Sequence, residues 1–120
     1  MKKEEIKRRR KIVKDYLAHN LAYNNRKECF DSAMSRGAVE VARVLMPLME
    51  KSKAVVDVLS PSFDSIIEKS VQNPDMKESR LFLMYLRLSE SQSFEESKRL
   101  KSRINVLELA LIGYASDREL

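Results

Sequence analysis

Five consecutive cations, Lys7-Arg8-Arg9-Arg10-Lys11, are the sharpest chemical feature of this sequence. A run of this kind suits nucleic-acid phosphates, an anionic membrane surface or an acidic protein. Glu4 and Glu5 sit three to four residues away, where on a helix they neutralise part of it, so the competing reading is a solvated helix face. No aromatic residue is interleaved with the run as a base-stacking platform would require; Tyr16 and Tyr23 fit core or capping positions better. The first 14 residues hold eight Lys and Arg against those two glutamates, a net +6. The whole chain is +5, so the basic character belongs to this segment and the remainder is close to neutral.

Other reactive side chains are isolated. His19 is the sole histidine, and Asp15, four residues away, can only orient it; with no second histidine and a single cysteine, a zinc site lacks donors. Cys29 is read as a small hydrophobe on the apolar side of a helix. No glycine-rich phosphate loop, paired catalytic carboxylates or Ser-His-Asp set is present. No catalytic residue, cofactor or metal is therefore expected. Phe82, Met84 and Tyr85 lie in a stretch from Leu81 to Leu86 that is apolar nearly all the way round, which suits either a partner surface or a central buried helix.

The elements that carry these residues are expected to be helices. Among 120 residues there are two glycines and three prolines, 43% apolar and 34% charged residues, with abundant Lys, Glu, Leu, Met and Arg. One all-helical domain, residues 1–120, is the expectation, with a basic N-terminal helix over 1–24 and helical hairpins over 25–120. A lone cysteine allows no internal disulfide and points to a reducing, intracellular setting, cytoplasmic by default. No apolar run approaches the roughly 20 residues of a transmembrane helix, and no signal-peptide pattern opens the chain.

Along the chain, Ile6, Val13, Tyr16, Leu17 and Leu21 form the first helical stripe, with a stop expected at Asn24-Asn25. Asn25 with Glu28 reads as a capping box opening a short helix that buries Cys29, Phe30, Ala33 and Met34 and ends near Gly37. A further helix from Ala38 carries Val41, Val44, Leu45, Leu48 and Met49, with Pro47 expected to kink or shorten it. Residues 51–60 read as a connection. Ser60-Pro61 and Asn73-Pro74 both read as N-cap followed by proline, the first opening a helix that buries Phe63, Ile66, Ile67 and Val71. The second opens one with Met76, Leu81, Leu83, Met84, Leu86 and Leu88. Ser93 with Glu96 is another capping box, ahead of one helix or two reaching to about Ser116.

Phe30-Asp31-Ser32 returns 33 residues later as Phe63-Asp64-Ser65, and Phe94-Glu95-Glu96-Ser97 follows after 31 more. Intervals of this length suit helix-pair repeats, whose apolar faces are buried only by stacking on neighbours. The stretch Ala33-Met34-Ser35-Arg36-Gly37-Ala38-Val39-Glu40-Val41-Ala42-Arg43-Val44-Leu45-Met46 resembles the two-helix part of an ankyrin repeat. Pro61 falls where that family's helix-opening Thr-Pro segment would be, while its usual histidine position holds Asp31 and Asp64. The resemblance covers Phe30 to Phe63 and implies stacked helical hairpins, an ankyrin-like solenoid; a five- or six-helix bundle is the alternative. The expected function is a non-enzymatic module that binds another protein. The alternative is a nucleic-acid-binding protein using the basic N-terminal helix.

Overall fold

The structure, a computed structural model, describes residues 2–114. It is all-helical: α1 spans Lys3–Ser35, α2 Val39–Gln72, α3 Lys77–Glu90 and α4 Phe94–Ile112. The described residues contain no strand. The described residues form four helices where the bundle alternative expected five or six, because two expected boundaries are absent and the first two helices are 33 and 34 residues long.

The first absent boundary is at Asn24-Asn25, which α1 passes without interruption. An asparagine inside a helix costs only about 0.5 kcal/mol relative to alanine, and both side chains are exposed, so nothing forces the helix to end. The second is the connection expected over residues 51–60. Here α2 is continuous, with Pro47 and Pro61 both inside it. Each proline leaves a carbonyl four residues earlier without its helical donor, at Arg43 and Asp57, and those residues are exposed, so water can satisfy both groups. Ser60-Pro61 therefore opens no helix. Asn73 ends α2 instead of capping α3: its backbone N–H and its side-chain Nδ2 both donate to the Lys69 carbonyl, at 3.1 and 3.0 Å. Met76 is the N-cap of α3.

Other expected signals do operate. Ser93 caps α4, its hydroxyl accepting from the Glu96 N–H at 3.4 Å. From there α4 is one helix as far as Ile112, closed by Gly113 at φ 82°. The part of that segment expected beyond Tyr114, to Ser116, lies outside the described residues. At the end of α1, Gly37 takes φ 72°. Its N–H reaches the Met34 carbonyl (3.1 Å) and the Ala38 N–H reaches the Ala33 carbonyl (2.8 Å), the paired bonds of a Schellman turn.

The chain divides into two compact units, Asp15–Pro61 and Met1–Lys14 with Ser62–Leu120. The first is a helical hairpin: α1 from Asp15 and α2 as far as Pro61, joined through Arg36, Gly37 and Ala38. Small residues Ala33, Ala42 and Ser52 are buried in it, and small side chains let helix axes approach closely. Arg26 ties its two limbs, with Nη1 donating to Ser52 Oγ at 2.6 Å and to the Leu48 carbonyl at 3.2 Å. The second unit joins the start of α1 and the end of α2 to α3 and α4. Its core contains Ile6, Val13, Phe63, Ile66, Leu81, Phe82, Met84, Tyr85, Leu100, Ile104 and Ile112.

The apolar stripes are partly displaced from those expected. Cys29 is exposed, as are Met34, Leu21, Val41, Val44, Leu48 and Val71. The three repeat-opening phenylalanines fall within α1, within α2 and at the first residue of α4. Phe30 is partly covered, Phe63 is buried and Phe94 is 79% exposed.

Candidate protein interface

Two apolar seams run side by side along α2, each with the alternating three- and four-residue spacing of a heptad pattern. One is Ala42, Leu45, Met49, Ser52, Val56, Leu59, Phe63, Ile66 and Ser70, all buried or partly covered. The other, one residue earlier in register, is Val41, Val44, Leu48, Lys51, Val55 and Val58. All of these except the partly covered Val55 are exposed, Val44 at 66% and Val58 at 77%. Within Asp15–Pro61 two limbs can cover only part of an apolar arc this wide. The outer seam is the uncovered part.

This outer seam is nearly free of charge. Its single ionic member is Lys51, and Glu40, one residue before Val41, marks its beginning. Glu40 pairs with Arg43 at 3.3 Å, but both side chains are more than two-thirds exposed, where such a pair contributes at most about 1 kcal/mol. On the other side of the hairpin a groove of about 380 Å³ is lined by Phe30, Met34, Val39 and Met46, with Arg43 and Glu50 among its polar neighbours. Single exposed apolar residues are ordinary on a protein surface; a contiguous run of them is less so.

The basic run is distributed differently from a flat cationic patch. Arg10 is buried, and its Nε donates to Oε2 of Glu108, which is itself fully buried on α4. Tyr85 on α3 donates its hydroxyl proton to Oε1 of the same carboxylate at 2.7 Å. Arg10 Nη1 reaches the Tyr114 hydroxyl oxygen at 3.4 Å, and its guanidinium carbon lies 5.2 Å from that ring's centre. The Lys7 ammonium lies 5.4 Å from the same centre, within cation–π range, and 3.5 Å from Glu4. Arg9 pairs with Glu5 at 2.7 Å. Arg8 and Lys11 are the exposed members of the five.

A physical reason for this arrangement lies at the end of α4. Its last turn contains no basic residue to offset the partial negative charge of its terminal carbonyls. Lys3 supplies one from α1: a Cβ added at Gly113 would meet the Lys3 Nζ at 3.4 Å. With Lys7 and Arg10 on Tyr114, cations of the first helix gather where α4 terminates. Much of the basic segment thus has partners within the chain.

Phe82, Met84 and Tyr85, the stretch offered as a partner surface, are core side chains between 1 and 9% exposed and present no face to a partner. His19 is partly covered on α1. Among the described residues no group of three or more His, Cys, Asp or Glu is placed to hold a metal ion. No described helix is long and apolar enough to cross a membrane. Sequence reasoning missed Glu108 altogether, although a signal was there: Ile104 and Ile112, four residues to either side, are both apolar, which puts this glutamate inside the stripe. Compared with known protein families, curated proteins and solved structures, the chain matches none.

Proposed function

We propose that this chain is a non-enzymatic protein-interaction module whose hairpin, residues 15–61, presents the outer seam of α2 to a helix of another polypeptide. The observation that carries this reading is the exposed, heptad-spaced set Val41, Val44, Leu48 and Val58 beside a buried seam of the same spacing. A helix laid along such a stripe covers apolar positions at each turn and asks for no unpaired polar group in return. The turn through Gly37 is also the part of the chain on which the likeness to ankyrin repeats rests. One hairpin of this kind suffices for the proposal, whether or not the chain stacks further units.

Nucleic-acid binding through Lys7 to Lys11 has less support. Lys7, Arg9 and Arg10 have acidic or aromatic partners within the chain, and of the five only Arg8 and Lys11 are classed as exposed. Affinity capture with the full chain separates the two readings. Three forms are compared with and without nuclease: the natural chain, Val44→Glu with Val58→Glu, and Arg8→Ala with Lys11→Ala. A protein retained by the natural and Arg8/Lys11 forms and lost from the Val44/Val58 form supports the module. Nucleic acid captured by the natural chain and lost from the Arg8/Lys11 form overturns it.

A further inference from the structure

The outer seam of α2 has a polarity that selects one kind of occupant. Glu40, Val44, Leu48 and Lys51 follow one another at spacings of four, four and three, so they form one line along the helix. An acid stands at the N-terminal end of that line and a base at the C-terminal end. All four residues are exposed. We propose that this segment, residues 40–51, pairs antiparallel with the same segment of a second copy of the chain, making an isologous dimer. The inference rests on the interaction-module reading and names its partner.

The register follows from the spacing. Alternating positions of an antiparallel helix pair meet across the seam, so Val44 of one copy faces Leu48 of the other, and by symmetry Leu48 faces Val44. Moving outward by one layer, Val41 faces Lys51 of the second copy. The aliphatic stem of that lysine covers the valine while its ammonium reaches Glu40 of the second copy's partner, the residue next to Val41. Two Glu40–Lys51 pairs therefore flank four apolar side chains. A parallel arrangement would place Glu40 against Glu40 and Lys51 against Lys51. Sliding the antiparallel pair by one heptad, to put Val44 opposite Val55, would bring the two Lys51 ammonium groups together beside the symmetry axis. Like charges on facing helices oppose pairing, so both alternatives are disfavoured and the first register is selected. The Glu40–Arg43 contact does not compete strongly, being a surface pair.

The test is sedimentation velocity of the full chain at concentrations from about 1 to 200 µM, a range that brackets micromolar association. Four variants accompany it: Val44→Glu, Glu40→Lys, Lys51→Glu, and Glu40→Lys with Lys51→Glu together; circular dichroism checks that each keeps its helices. A concentration-dependent dimer is expected for the natural chain. Val44→Glu should weaken it by about a hundredfold or more, since two carboxylates would enter the apolar centre. Each single reversal should weaken it by about tenfold, and the double reversal should restore it. A natural chain that stays monomeric throughout overturns the proposal, as does a dimer indifferent to Val44→Glu or one that the double reversal fails to rescue. A monomer that nonetheless captures a different protein, and loses it on Val44→Glu with Val58→Glu, ends self-pairing and leaves the interaction-module reading standing.

Discussion

Arg10 and Glu108, 98 residues apart in the chain, form an ion pair closed off from solvent on both sides, with the arginine side chain 4% and the glutamate 0% exposed. Both belong to the same compact unit, and each occupies a position its helix would otherwise give to an aliphatic residue: Arg10 between Ile6 and Val13, Glu108 between Ile104 and Ile112.

Removing one member strands the other. Arg10→Ala or Glu108→Ala is expected to destabilise the protein by about 3–5 kcal/mol in chemical denaturation. The triple variant Arg10→Met, Tyr85→Phe and Glu108→Leu should recover most of that loss, because apolar side chains of similar volume have neither a charge nor a hydroxyl to desolvate. Recovery in this cycle distinguishes a structural pair from one needed elsewhere.

Tyr85 gives Glu108 its second hydrogen bond. Tyr85→Phe keeps the ring in the core and takes away only the donor, so a loss of about 1–3 kcal/mol is expected, smaller than that of Glu108→Ala. Equilibrium unfolding of the two variants side by side measures the difference.

Among the described residues, Gly37 and Gly113 are the two with positive φ. At Gly37 no atom lies within 4 Å of an added Cβ, so Gly37→Ala meets only a backbone penalty, about 1 kcal/mol. Gly37→Val should cost more, since a branched side chain tolerates the left-handed region poorly. Thermal unfolding ranks the three forms.

Pro47 and Pro61 lie inside a continuous helix with their side chains exposed. Substituting either by alanine restores a backbone donor and should raise stability, by up to about 3 kcal/mol for each. A fall in stability would mean that the prolines set a local geometry the helix requires. Far-ultraviolet circular dichroism with denaturant titration reads both outcomes.

The all-helical class was legible in composition, and Gly37 and Ser93 were legible as punctuation because each acts through its own backbone or its immediate neighbours. Pro47, Pro61 and Asn24-Asn25 were not. Their local preferences against helix, small for asparagine and large for proline, are overridden within long helices whose stripe a short window does not see whole. The same width explains why Val41, Val44 and Leu48 read as core: two seams one residue apart share a period, and only the buried one is distinguished by the structure. The basic run was legible as charge, but its partners Glu108 and Tyr114 come from the far end of the chain, where no local pattern points back to Arg10.

The pairing of Arg10 with Glu108 also imposes an order on biosynthesis. Residues 15–61, with the Gly37 turn and the Arg26–Ser52 tie, form a compact unit that is synthesised in full before α4 begins. The other unit cannot close then. From the moment Arg10 leaves the ribosome until Glu108 follows, the cations of α1 have no α4 to terminate and stay in contact with solvent. A nascent chain halted between these points would display to solvent the Arg10 guanidinium that the finished protein buries.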